Sequence, residues 1–206
     1  MDESLLTFTG ALASSAPTPG GGGAAALMGS LAASLGAMAA RLSAGKKACA
    51  ENAAALEAIV SDCEALRLDF LGQIEADAAA FLPLAAAYRI PREEPGRAEK
   101  LRRASLEACA AAEEMLRLSL RTAELLTRLK AMASRLLLSD VGCAAAACRA
   151  ALLCAAYNVF VNTRACPGDP EAQKRNTLAE TALEQGLALL EEIEVGVLLE
   201  LRNEEA

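Results

Sequence analysis

The sequence predicts an all-α protein, an up-and-down bundle of long antiparallel helices, and three observations carry that reading. Hydrophobic residues make up 54 % of the 206, yet aromatics are only 3 % and Trp is absent. Ala and Leu therefore supply the apolar content, and both are strong helix formers. β-Branched and aromatic residues, which favour strands, are scarce. Apolar positions also recur at helical spacing between short turns rich in Pro and Gly, and short turns join antiparallel neighbours. The length suits one domain, 1–206, with a core of its own.

Taken in order, residues 3–13 form a short helix that stops at Ser14-Ser15-Ala16-Pro17-Thr18-Pro19-Gly20-Gly21-Gly22-Gly23, where Pro and Gly forbid regular structure. A helix over 24–43 follows. Its small residues at four-residue steps (Ala25, Gly29, Ala33, and Ala32, Gly36) let a neighbouring backbone approach closely. After Gly45 a long pattern runs over 47–89, in which Leu56, Ile59, Val60, Cys63, Leu66, Phe70, Ile74 and Phe81 recur at helical spacing. Pro83 should kink or divide it near residue 82. Ile90-Pro91-Arg92-Glu93-Glu94-Pro95-Gly96 is a turn, and helix resumes over 97–133. Ser139 or Asp140 can N-cap the alanine-rich helix over 141–165, or helix can run unbroken through both. Cys166-Pro167-Gly168-Asp169-Pro170 is a further turn, before an amphipathic helix over 171–201.

Composition also excludes. With a net charge of −7 and a pI near 4.8, nucleic acid is not an expected partner. Seven cysteines (Cys49, Cys63, Cys109, Cys143, Cys148, Cys154 and Cys166) form no CxxC pair and sit mostly in alanine-rich stretches. Reduced buried thiols in a cytoplasmic protein are the expectation. There is no His, and no Cys or carboxylate spacing suggests a metal. Residues 20–40 carry no charge over roughly a bilayer's thickness. They are mostly Gly, Ala and Ser, however, and Asp2 and Glu3 precede them where a signal peptide is positive. A buried interface helix, and no membrane partner, is the expectation.

Four features could carry chemistry. In the glycine tract, Gly20, Gly21, Gly22 and Gly23 let backbone N–H groups approach a ligand at a helix start; a flexible turn is the plain alternative. Lys46 and Lys47 suit a ligand carboxylate, or are ordinary solvated charges. Asp77 and Asp140 are carboxylates in alanine-rich surroundings, where desolvation raises a pKa and favours acid–base work. Against this, Asp140 can cap a helix and Asp77 can sit exposed on one. Asn158 and Asn162, four apart, share a helix face and can bond a ligand or a partner helix.

The order of these features resembles the cyclodeaminase domain of formiminotransferase-cyclodeaminase. The resemblance begins in residues 12–23, continues through Gly45-Lys46-Lys47, Asp77 with Ala80-Phe81, and Tyr88-Arg89-Ile90-Pro91, and ends in Ser139-Asp140-Val141-Gly142 and Asn158-Val159 with Asn162. It departs from the family at Ala133-Ser134-Arg135-Leu136 and near Met115. The resemblance implies a homodimeric helical bundle with folate in a groove near the subunit interface, and residues 24–43 as the seam. It implies a tetrahydrofolate derivative as substrate and no permanently bound cofactor. The reaction implied is the cyclodeaminase step, in which N10 of 5-formimidoyltetrahydrofolate attacks the formimidoyl carbon and ammonia leaves. Stand-alone relatives suggest the alternative of methenyltetrahydrofolate cyclohydrolase, in which water adds to the same carbon. Asp140 is then expected as the acid–base group, positioned by Ser139, with Lys46 assisting or holding the glutamate tail beside Lys47, and Asp77 on the pterin N–H edge. A non-catalytic folate-binding or oligomerisation module is the alternative from another class.

Overall fold

The computed structural model describes residues 4–202, and every regular element among them is helical. Helix α1 (Leu5–Leu12) starts at Ser4, whose Oγ accepts the Thr7 N–H. An expected start at Glu3 lies outside the described residues. An extended loop with a cis Thr18–Pro19 bond leads to α2 (Gly21–Ala44), and a 3-10 turn (Lys47–Asn52) leads to α3 (Ala53–Tyr88). Then come α4 (Arg97–Glu107), α5 (Cys109–Met132), a 3-10 turn (Arg135–Leu137), α6 (Leu138–Thr163) and α7 (Pro170–Arg202).

Side-chain contacts fix the topology. Gly29 lies under Phe70 and Gly36 beside Cys63, so α2 and α3 run antiparallel. Cys109 Sγ reaches the Val159 carbonyl and Cys148 Sγ the Ser119 carbonyl, which makes α5 and α6 antiparallel. Arg149 meets Glu194 and Thr163 meets Asn176, and so are α6 and α7. The expected up-and-down order holds through the long helices.

Three boundaries differ from expectation, and at a fourth the unbroken alternative holds. Helix α2 takes Gly21, Gly22 and Gly23 into its first turn, where a Cβ on Gly22 would meet the Asp77 carboxyl. Helix α3 continues through Pro83, which stands in its last two turns and removes one ladder bond near a free end. The stretch 97–133 is broken at Ala108, although no residue there breaks helices; Ala108 instead packs against the Leu84 and Phe81 cluster. At Ser139 and Asp140 the helix runs through both and neither caps it, since α6 begins at Leu138 after the 3-10 turn, with no side-chain bond at its cap. Asp140 falls in the first turn, where the helix dipole favours negative charge.

The small face of α2 is occupied within the chain. Ala25, Ala32 and Ala33 are fully buried, and a Cβ on Gly29 would run into the Phe70 ring. On the other side Met28, Leu31, Leu35, Met38 and Leu42 repeat at alternating steps of three and four, with Leu31 48 % and Leu42 50 % exposed. That stripe is the least buried face of α2, with Met28 and Met38 half-buried and Leu35 half-buried against the core. Gly21–Ala44, Lys47–Tyr88 and Arg135–Thr163 are each long and apolar enough to cross a membrane by length and composition, and 61 % of the most apolar window of Gly21–Ala44 is buried in the bundle.

All seven cysteines are free; burial pushes the Cys63, Cys109 and Cys148 thiols up to about 12 and leaves them unreactive.

Candidate active site

Antiparallel packing decides which of the candidate residues can meet. The start of α2, the later part of α3 and the end of α6 converge at one end of the bundle. There Gly20, Gly21, Gly22, Asp77, Asn158 and Asn162 line a cavity of about 160 Å³, together with Pro17, Thr18, Phe81, Ala108 and Val161. Most of the glycine tract, Asp77 and both asparagines are thus brought into a single site. Gly23 is buried one step behind it.

Gly22 and Asp77 form the tightest contact in the site. A Cβ at Gly22 would land on the Asp77 carboxyl group, so glycine leaves that carboxyl its place between α2 and α3. Burial raises the Asp77 pKa above the ordinary carboxylate range, and the backbone N–H of Gly23, donated to the carboxylate, offsets this in part. Asp77 has no cationic partner among the described residues. A carboxyl in this state exchanges a proton at a higher pH than an exposed one.

The asparagines stand across from it. Asn158 Nδ2 donates to the Cys154 carbonyl at 2.7 Å, which leaves its Oδ1 and second N–H for another group. Gly21 lies so close that a Cβ there would sit 3.6 Å from Asn158 Nδ2. The Asn162 side chain, half-buried, has no hydrogen-bond partner among the described residues. The cavity thus offers amide donors and acceptors on one wall and a proton-carrying carboxyl on the other.

Lys46, Lys47, Ser139 and Asp140 are elsewhere. The Ser134 N–H donates to Ser43 Oγ at 3.0 Å, which ties the end of α2 to the start of α6 at the opposite pole. Helix α2 is 24 residues long, so Lys46 stands about 36 Å from Gly21. Asp140 and Asn158, on the same helix, are about 27 Å apart by the same rise. Within one chain Lys46 and Asp140 therefore stand away from the glycine tract, a helix length from it along α2 and α6. Both lysines and Ser139 are exposed, and Asp140 is half-buried.

Phe81 and Val161 belong to motifs recognised in the sequence but without a role there, and Pro17 and Thr18 likewise. Ala108 had no signal at all: it reaches the cavity only because α4 and α5 divide there. No cluster of three or more metal-binding side chains exists among the described residues. A larger groove of about 750 Å³ between α5 and α7 is floored by Leu116, Leu120 and Leu178, and the acid of its Glu114–Arg117 pair is already neutralised.

Comparison with known proteins places this arrangement. Residues 4–182 match the sequence profile described as formiminotransferase-cyclodeaminase. The chain is 35 % identical over 203 residues to a methenyltetrahydrofolate cyclohydrolase of Methylorubrum extorquens, covering 93 % of this chain and 94 % of that protein. It also superposes on the crystal structure of a formiminotetrahydrofolate cyclodeaminase from Thermotoga maritima with a TM-score of 0.83, at 26 % identity, covering 98 % of this chain and 97 % of that one.

Proposed function

The chain belongs to the formiminotransferase-cyclodeaminase family, and from that premise we propose that it is a methenyltetrahydrofolate cyclohydrolase. The observation that carries the reading is the cavity of Asp77, Asn158 and Asn162 against the glycine-led start of α2, in a chain whose similarity to the Methylorubrum cyclohydrolase runs nearly end to end. Water adds to the carbon between N5 and N10 and gives up a proton to a base. The tetrahedral carbon then collapses: its hydroxyl gives up the second proton, the C–N5 bond breaks, N5 takes one proton, and 10-formyltetrahydrofolate forms with one proton released overall. Asp77 is the base, since it is the carboxyl that lines the cavity. Asn158 and Asn162 read the pterin edge, whose donors and acceptors alternate as an amide's do.

At about 160 Å³ the cavity is below the range of roughly 300–1,000 Å³ that encloses a drug-sized ligand. A second copy supplies the missing wall. The least buried stripe on α2 has Leu35 at its middle residue, so a two-fold pairing along it sets the Gly20–Gly22 end of one chain against the Lys46 end of its partner. Asp140, with Ser139 beside it, then enters the site from the partner as the acid for N5, and Lys46 follows it as a cation near the reacting carbon. This is a cytoplasmic homodimer with two composite sites.

The Thermotoga neighbour supports a second reading, ring closure on 5-formimidoyltetrahydrofolate with loss of ammonia. Both reactions pass through a tetrahedral carbon and need the same two proton carriers. Purified protein should catalytically consume the absorbance band of methenyltetrahydrofolate. Formation of that band from 5-formimidoyltetrahydrofolate, without its consumption, would replace the first reading by the second. A change merely stoichiometric with protein would remove both.

A further inference from the structure

A cavity of about 370 Å³ lies where α5 ends and α6 begins, at the pole opposite Asp77. Thr127 and Lys130 on α5, Arg135 in the following 3-10 turn, and Glu192, Ile193 and Glu200 on α7 stand around it. Four of these six are charged, two of each sign. None of the four makes an ion pair among the described residues.

Lys130 is the best-placed member of the set. A Cβ on Gly196 would run into its Nζ, so the lysine lies flat on α7 where glycine leaves room for it. It is half-buried, while Arg135, Glu192 and Glu200 are exposed. Glu192 and Glu200 stand four residues either side of Gly196, each about 6 Å from it along the helix axis. Helices α5 and α7 both run antiparallel to α6 and hence parallel to each other. Thr127 and Glu192 therefore share the end of the cavity before Lys130, and Arg135 and Glu200 the end after it. Thr127 Oγ donates to the Ala123 carbonyl at 3.0 Å, and its oxygen is left to accept.

This order of charge selects the ligand. A simple anion at Lys130 would have a carboxylate one turn away on either side, and a simple cation at Glu192 would face the lysine. A ligand whose two opposite charges are one carbon apart satisfies both groups at once. We infer that this cavity is a binding site for a small zwitterionic amino acid, its ammonium between Glu192 and Thr127 and its carboxylate on Lys130. Arg135 and Glu200 offset each other's field at the far end, and the buried Ile193 gives the ligand's carbon skeleton an apolar contact. The volume lies low in the range of roughly 300–1,000 Å³ that ligand sites occupy, as a small ligand requires. None of these groups belongs to the Asp77 site or to the residues assigned to the reaction, so the inference stands apart from the folate reading.

The test is equilibrium binding to the full chain, by calorimetry, of glycine, L-alanine and L-valine. L-Lactate, which replaces the ammonium by a hydroxyl, and L-alaninamide, which lacks the carboxylate, are the half-ligands. At low salt at least one amino acid should bind one per chain, on the order of tenfold tighter than either half-ligand. High salt should weaken it. Glu192→Gln should bring the amino acid down to the level of lactate, and Lys130→Met, which keeps an unbranched side chain across Gly196, down to that of alaninamide. Lys174→Gln, at the other end of α7, should bind as wild type does. Glu192 is exposed, so its variant decides the matter even if Lys130→Met fails to fold. The inference is overturned if no amino acid binds more tightly than the half-ligands, if Glu192→Gln keeps wild-type affinity, or if Lys174→Gln loses binding equally.

Discussion

At the Gly21 end of the bundle a carboxyl is drawn between helices and faces two amides, whereas at the Lys46 end lysines, a serine and a half-buried aspartate stand at the surface. Both ends carry residues of the family pattern. The first end has an enclosure and a tight packing requirement, seen in the Gly22–Asp77 contact; the second has chemistry and no walls. On the proposed reading, one chain holds two halves of a site at opposite poles. Antiparallel pairing is the arrangement that would join them.

The largest effects should come from breaking the two halves separately and then together. As proton carriers, neither aspartate can be replaced by an amide, and Asp77→Asn or Asp140→Asn should each cost about 10²–10⁴-fold in turnover. Mixing the two inactive proteins under conditions that allow subunit exchange should restore activity, because each mixed dimer holds one site with both carboxyls. No recovery on mixing, with exchange verified by mass, would confine each site to one chain. Turnover of Asp140→Asn within a few-fold of wild type would remove Asp140 from the chemistry.

Next is the least buried face of α2. Leu35→Glu places a charge where the proposed two-fold pairing would bring two copies of the same side chain together. Sedimentation should show a monomer of unchanged helicity, and turnover should fall about as far as for Asp140→Asn. A fully active monomer would overturn the composite site.

The two glycine contacts of α2 sharpen the same contrast. Gly29→Ala meets the Phe70 ring, in the core and far from either pole, and should cost about 1–3 kcal/mol of stability. Gly22→Ala meets the Asp77 carboxyl, which borders a cavity and can move into it. Its stability loss should be smaller, but folate affinity should fall, because Asp77 leaves its place. Equal affinity in Gly22→Ala and wild type would mean that the Asp77 position does not matter to the ligand.

Much of this architecture is legible in the amino-acid sequence. Alanine and leucine content specifies the helices, and the turn residues specify their antiparallel order. The glycine tract, Asp77, Asn158 and Asn162 each stand out by residue type and setting, and the fold gathers them. Distance along a rod is what residue types do not convey. Asp140 and Asn158 lie on one uninterrupted helix, and its length separates them whatever motif they share. The spacing of Ala25, Gly29 and Ala33 marks a close helix contact, but spacing does not name the partner, and Phe70 of the same chain fills it. The break at Ala108 is illegible for the opposite reason: Glu107-Ala108-Cys109 favours helix, and tertiary packing against Leu84 and Phe81 overrides it.

The smallest expected effect is a dependence of stability on pH that belongs to one end only. Burial holds the Asp77 carboxyl above its ordinary range, with the Gly23 N–H offsetting part of the rise. The folded protein therefore keeps this proton to a higher pH than the unfolded chain does. Below the ordinary aspartate value, near 3.8, both states are protonated and the stability from the protonated group is fully present. As pH rises through the elevated folded value, the folded state must hold an ionised group in poor surroundings, and that stability is lost. Asn keeps the shape and can still accept the Gly23 N–H, without a titration. Asp77→Asn should thus be more stable than wild type at pH 7, with a higher Tm. The difference should shrink toward zero as pH approaches 4, whatever acid does to the rest of the protein, because both proteins share every other group. An Asn variant no more stable than wild type at pH 7 would mean that the carboxylate is better solvated or better bonded than its burial indicates, and Asp77 would lose its claim to be a poised proton carrier.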